Sequence, residues 1–400
     1  MDLRTAAVLL GGVLLRIAPS ILFPGIHAVL ASRVELATPA SSYKQLREGL
    51  YLYDLGMAPY DGGVYHQAPL LLPAFTALGQ ITSLAPSALP IAVLYAALDT
   101  LTAYFLSKIS LSRKQLQWLP AAVFMFNPVV LATTLARSTT TISHAALTAA
   151  VACATAGAAT PSVLLLALAG HVNAYFCYLA VPLCVLWATT ARGRAASLGL
   201  FAAASAGLSY TGFLLTGASP FSFPSAVLML KFLTPNMGMW WYFFIEMFDF
   251  FRPLFTYIFQ LYSAIYVVPV TLRLRREPLF ALACIHGITT MSKAYPELGD
   301  LGMYISILAL YQDIFEHVPG ALLSALVILH ALVLAPSFYY LWIYLGSGNA
   351  NFFYAVTLVY AIGLTILIKD TLRAVLRREF EAVQGVAVEG AAAKRAVVQI

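Results

Sequence analysis

The sequence predicts an all-α polytopic membrane protein of about twelve transmembrane helices, with polar loops on one side of the bilayer and several broken helices. Three observations carry this. Of 400 residues, 61% are hydrophobic and only 10% charged, where a soluble domain carries roughly 25% charge. The charges gather in short clusters. Between the clusters lie apolar runs of about 20 residues, the length that crosses a hydrocarbon core as a helix. This composition excludes a soluble enzyme. The net charge of +6 comes without a basic stripe interleaved with aromatics, so it belongs to the membrane surface and predicts no nucleic-acid partner.

The apolar runs fall at 5–32, 69–87, 88–107, 118–136, 142–158, 160–171, 174–191, 197–217, 246–271, 278–291, 299–312, 319–338 and 352–368. The first has Arg4 ahead of it, as a secretory signal would, but Arg16, Pro19, Pro24 and His27 interrupt it and favour an uncleaved span. The second holds Pro69, Pro73, Gln80 and Pro86 and reads as a segment lying in the interface or dipping partly in. Several later runs are too short for a straight crossing. Such pieces are expected where helices are broken or tilted and their free backbone groups face protein or water.

Orientation follows from basic residues in short loops, which mark the cytosolic side. They cluster at Lys108, Arg113 and Lys114, at Arg192 and Arg194, at Arg273, Arg275 and Arg276, and in the tail from Lys369 through Arg373, Arg377 and Arg378 to Lys394 and Arg395. The runs between successive clusters are even in number, so all four clusters fit one side. With both termini cytosolic, only one of the runs 69–87 and 88–107 crosses, and the second is the better span. The expected organisation is a multispanning domain, 1–372, with a luminal loop at 33–67 and an interfacial segment at 69–87. A cytosolic tail at 373–400 follows, suited to a short amphipathic or frayed helix.

The polar, aromatic-rich connections then share the opposite face, the endoplasmic reticulum lumen or cell exterior. The first, YLYDLGMAPYDGGVYHQAPL, offers Tyr60, Asp61 and His66. It suits a sugar or headgroup surface, or equally a turn within the interfacial aromatic belt. The second, LTPNMGMWWYFFIEMFDFF, places Asn236 before Trp240 and Tyr242. Its Glu246 and Asp249 are three apart, share one helical face, and could hold a metal or an amine, or pair with Arg252. The third, SKAYPELGD, has Lys293, able to meet a phosphate, beside Tyr295, with Asp300 as a helix N-cap. The fourth, LWIYLGSGNANFFYA, sets Ser347, Asn349 and Asn351 next to Phe352. Amides that donate and accept, flanked by aromatics, suit polyhydroxylated ligands; a plain luminal turn is the other reading. Arg16, Asp99, Arg137, His171 and Asn173 lie at apolar depth and are candidates either for function or for interhelical locking, with Asp99 read as structural.

Cys153, Cys177, Cys184 and Cys284 sit inside apolar runs without metal-ligand or redox spacing and read as packing. No GxSxG elbow, HExxH helix, P-loop or dinucleotide fingerprint occurs, so no cofactor and no metal site is expected. None of the asparagines sits in an Asn-x-Ser/Thr acceptor.

Taken in order, RVELATPASSYKQLREGLYLYDLG, LTPNMGMWWYFFIEMF, KAYPELGD and LWIYLGSGNANFFYAVTL resemble the PIG-U family, multispanning subunits of the glycosylphosphatidylinositol (GPI) transamidase complex. That family is similar in fold to the GT-C mannosyltransferases of the GPI pathway. The resemblance implies an endoplasmic reticulum membrane protein that recognises the GPI glycolipid and presents it for attachment to precursor proteins. It implies no catalytic residue here, the catalytic cysteine-protease-like chain being a partner subunit. Asn349, Asn351, Ser347, Phe352, Trp240, Tyr242, Asn236, Lys293, Tyr295, Tyr60, Asp61 and His66 are the expected glycolipid-binding residues. The alternative, a GT-C mannosyltransferase using dolichol-phosphate-mannose, would need an acidic pair in the first loop. Glu35, Glu48, Asp54 and Asp61 are all there, but no two are adjacent or one apart. A transporter or scramblase is a third reading, suggested by broken spans near His171; no inverted repeat supports it.

Overall fold

Each apolar run carries helix in the computed structural model, which describes residues 2–82, 89–219, 221–222, 228 and 233–384. The helices are α1 (Leu3–Leu22), α2 (Ile26–Ala31), α3 (Tyr43–Asp54), α4 (Leu71–Thr82), α5 (Leu89–Ser112), α6 (Trp118–Met125), α7 (Pro128–Leu135), α8 (Thr140–Thr155), α9 (Ala159–Val172), α10 (Ala180–Trp187) and α11 (Ala191–Thr216). After them come α12 (Trp241–Glu246), α13 (Arg252–Ala264), α14 (Val267–Arg273), α15 (Pro278–Ser292), α16 (Leu298–Leu308), α17 (Ala321–Tyr339) and α18 (Ala350–Gln384). Among the described residues there is no strand.

By length and apolarity, six helical stretches are able to cross a membrane: Leu3–Leu22, Leu89–Ser112, Ala191–Thr216, Arg252–Arg273, Ala321–Tyr344 and Ala350–Ala382. The pair α6 and α7, bent by 55°, makes up to seven. The shorter apolar helices are a different population. In α15 and α16 nearly every residue is buried against other helices, so these pieces face protein and need not match the hydrocarbon thickness. The chain is thus a multi-pass, all-helical membrane protein.

The bend has a local cause. Asn127 ends α6 and caps α7, its Oδ1 accepting the Val129 N–H at 3.0 Å, and Pro128 supplies the first helical position. The carbonyl freed at Met125 is taken by Arg16, whose Nη1 donates to it at 2.9 Å and to Gly12 O at 3.1 Å. The Arg16 Nε lies 2.5 Å from Asp99 Oδ2, which also accepts the Thr134 hydroxyl at 2.5 Å. α1, α5, α6 and α7 are therefore locked through one buried ion pair.

A large apolar core runs through α5–α10 and α15–α18. A second, smaller one is built by the first loop, where Leu46, Tyr65, Leu72 and Phe75 pack with Val172 and Tyr175. The loop is therefore folded onto the bundle. The predicted interfacial segment begins as α4, and its remainder, 83–88, lies outside the described residues. The predicted tail continues α18 without a break as far as Gln384, held by Arg377–Glu381 at 2.7 Å, Arg378–Glu277 at 2.9 Å and Arg273–Glu379 at 2.9 Å. Residues 385–400 are outside the described set. None of the four cysteines is in a disulfide.

Candidate functional site

The four polar stretches meet, and Glu297 is where the first joins the third. Its carboxylate, 2% exposed, accepts hydroxyl hydrogen bonds from Thr38 at 2.8 Å, Ser138 at 2.9 Å, Thr140 at 2.8 Å, and from Ser41. Burial, reinforced by Asp300, pushes this carboxyl above its usual range against the pull of Lys293 and its hydroxyl donors. The backbone adds Leu298 N–H to Glu35 O at 3.0 Å. Glu297 is also the N-cap of α16, in a reciprocal capping box with Asp300 at N3. The sequence expectation of Asp300 as the N-cap is thereby corrected by one turn. Asp300 is instead the partner of Lys293, with His144 Nε2 at 3.5 Å on its other side.

The second stretch docks on the third through backbone groups. Asn236 Nδ2 donates to Ala294 O at 3.2 Å, and its Oδ1 accepts the Gly238 N–H at 2.6 Å. A Cβ at Gly238 would come within 2.9 Å of Pro296, so the close approach requires glycine. Trp240 Nε1 donates to Ser292 O at 2.6 Å while its ring stacks on Phe259 at 4.1 Å. Beyond Glu246 the helical face expected to carry a carboxylate pair does not form. Met247 is extended, Arg252 donates to the freed Phe244 carbonyl at 3.1 Å, and Asp249 pairs with Arg252 at 3.4 Å.

Aromatic stacking then joins the second stretch to the fourth: Trp241 on Trp342 at 5.6 Å and Tyr242 on Tyr354 at 4.7 Å, with the Tyr354 hydroxyl donating to Met239 O at 3.1 Å. α17 passes into a π turn at Tyr340–Tyr344, a local defect that recurs at functional sites. There the Leu341 carbonyl accepts both Ser347 N–H at 3.1 Å and Gly348 N–H at 2.9 Å. Gly346 has φ +63°, and a Cβ at Gly348 would meet the Trp342 nitrogen at 2.9 Å. Asn349 Oδ1 accepts the Asn351 N–H at 2.9 Å, starting α18. This folds Ser347, Asn349 and Asn351 into an exposed rim, with Phe352 stacked on Phe338 at 5.8 Å.

The twelve expected residues thus divide by burial. Asn349, Asn351, Ser347, Phe352 and Asp61 are exposed; Trp240, Tyr242, Tyr60 and His66 are partly buried; Asn236, Lys293 and Tyr295 are buried. Tyr60 donates to Gln67 O at 2.5 Å, and Gln67 in turn ties Ser42 to Thr139. Burial holds the His66 imidazole below its usual range. A cavity of about 30 Å³ beside Lys293, Tyr295, Glu297, Ser143 and Tyr175 is water-sized. Sequence reasoning places Glu297 in the third stretch without a role and misses its hydroxyl cage; the signal available was Glu-x-x-Asp directly after a proline, an acidic variant of a capping box.

The sequence profile described as "GPI transamidase subunit PIG-U" matches residues 10–360. The chain belongs to the PIG-U family. Among PIG-U relatives, it is 34% identical to the GPI transamidase component GAB1 of Saccharomyces cerevisiae, over 95% of this chain and 97% of that one. It is 33% identical to the GAB1 homolog of Schizosaccharomyces pombe, over 87% and 88%. To the GPI-anchor transamidase component PIGU of Mus musculus it is 30% identical, over 89% and 90%. The matched span contains the whole of the convergent polar region of this PIG-U chain.

Proposed function

We propose that this GPI transamidase subunit is non-catalytic and holds the GPI glycolipid at the rim formed by Ser347, Asn349, Asn351 and Phe352, presenting it to a cysteine-protease-like subunit. The observation that carries the reading is the mounting of that rim. Its amides are exposed on an aromatic platform which is tied, through Trp240, Asn236 and Glu297, to all the other polar stretches. Amide and hydroxyl groups on a rigid support suit hexose hydroxyls, and Phe352 and Tyr242 offer ring faces. In this reading Asn236, Lys293 and Tyr295 shape the support, while Asp61, Tyr60 and His66 would offer the glycolipid further contacts from the first loop. The first-loop acids are dispersed: Glu35 is buried, and Glu48, Asp54 and Asp61 are exposed on separate turns, which disfavours the mannosyltransferase.

The same reading places the chain in the endoplasmic reticulum membrane with twelve crossings and both termini cytosolic. In support, three of the four basic clusters come together, with Arg113 and Arg378 on Glu277 and with Arg273 and Arg276 on Glu379.

The test is Asn349→Ala combined with Asn351→Ala. Both side chains are exposed and the lost Asn349 cap costs only about 1 kcal/mol, so abundance should change little, while attachment of GPI to a reporter precursor should fall about tenfold, the scale of losing two neutral hydrogen bonds. Normal attachment at normal abundance removes the loop from the site. Purification in mild detergent should bring down a cysteine-protease-like chain together with GPI lipid.

A further inference from the structure

A cavity of about 1080 Å³ lies away from the rim, between α2, α3, the turn at Gly62–Val64 and residues Ala136–Arg137 after α7. Its lining carries Lys44, Arg47, Arg137 and His27 against a single carboxylate, Glu48. Lys44 and Arg47 are exposed and three residues apart on α3, so their charges stand on one helical face. Arg137 is held in place: its backbone adopts φ 59°, its carbonyl accepts the Tyr95 hydroxyl at 2.7 Å, and its guanidinium lies 5.6 Å from the centre of the Tyr43 ring. A non-glycine residue in the left-handed region is strained and persists only where its surroundings fix it. A second cavity, of about 300 Å³, shares Tyr43, Arg47 and Tyr51 with the first and continues between Leu50, Phe75, Leu78 and Ile91, with the exposed Asp54 on its lining, so that across both cavities three cations face two carboxylates. Arg47 therefore stands where a basic compartment meets an apolar slot. Leu22, Phe23 and Val29, at the neighbouring ends of α1 and α2, are exposed.

We infer that this groove holds an anionic phospholipid of the surrounding bilayer, with its phosphate against Lys44, Arg47 and Arg137 and an acyl chain in the slot beside Phe75. Guanidinium groups match phosphate oxygens in bidentate geometry, and an excess of cations over carboxylates selects anions. The apolar slot selects a lipid over a free phosphate. None of the rim residues lines either cavity, so this site is independent of the one proposed for the GPI glycan.

The experiment uses the assembled complex containing the full chain, in nanodiscs of phosphatidylcholine with a minor fraction of phosphatidylinositol. Mass spectrometry reads the lipids retained after extraction and purification. Lys44→Gln with Arg47→Gln, both exposed positions, should lower retained phosphatidylinositol by about tenfold or more, the loss of two charge-assisted hydrogen bonds, and leave phosphatidylcholine unchanged. Arg47→Lys should keep most of it, and Glu48→Gln should increase it. Asn349→Ala with Asn351→Ala should leave retention intact. The inference is overturned by equal retention in the double variant, or by parallel loss of both lipids. It is also overturned if water-soluble inositol phosphate displaces the lipid at comparable concentration, which would mark a free-anion site, or if the Lys44/Arg47 variant loses GPI instead of phosphatidylinositol.

Discussion

Arg16 shows what a charge at apolar depth is for in this chain. Its guanidinium is 1% exposed and its carboxylate partner, Asp99, is likewise buried. Two such groups are costly to desolvate, and the Gly12 and Met125 carbonyls and the Thr134 hydroxyl satisfy part of what the ion pair leaves over, Arg16 Nη2 having no partner among the described residues. Removing one partner leaves the other charged and uncompensated, which costs about 3–5 kcal/mol. Asp99→Asn should therefore lower the melting temperature of the purified protein markedly, whereas Asp61→Asn, at an exposed turn, should leave it unchanged. Equal melting curves would remove the lock. The sequence marks both residues as unusual, but their pairing needs α1 and α5 side by side, and no spacing between positions 16 and 99 encodes that.

At the scale of elements, the glycines of α16 decide how closely the third stretch is held. A Cβ on Gly302 would overlap the Val130 side chain of α7, and one on Gly299 would come within 2.9 Å of Thr133. Val130 is buried and β-branched, so it has little room to turn away. Gly302→Ala should force α16 off α7 at a cost of about 1–3 kcal/mol, the range for overpacking a close-packed contact. Because α16 begins at Glu297, the same shift should weaken the hydroxyl cage and lower GPI attachment along with thermal stability. A variant with unchanged melting and attachment would show that the two helices tolerate separation. Helix positions were legible from apolar runs because a chain in lipid must close its backbone hydrogen bonds locally. Helix ends were less so. α12 stops at Glu246 because Arg252, six residues further on, takes a carbonyl, and α18 outruns its apolar run because charges on α14 and the segment around Asp313 hold its polar end.

Across the whole molecule, sidedness joins the fold to the function. The predicted luminal stretches, far apart in sequence, contact one another through Glu297, Trp240 and Trp241. The basic loops meet in a separate network of Arg113, Glu277, Arg378, Asp313 and Glu379. Segregation of this kind is what a positive-inside chain with one working face requires, since the excess of Lys and Arg lies in short loops on the cytosolic side. The sequence contains no natural Asn-x-Ser/Thr acceptor, so an engineered one reports without background. Acceptors inserted at Gly62 and at Gly348, on flexible spacers to clear the membrane, should both be glycosylated in cells, and one inserted beside Arg275 should not. Modification at Gly62 but not Gly348 would put the tyrosine-rich loop and the Asn349 rim in different compartments. The contacts between the polar stretches would then be unattainable in a single bilayer orientation, and the glycolipid reading would fall with them.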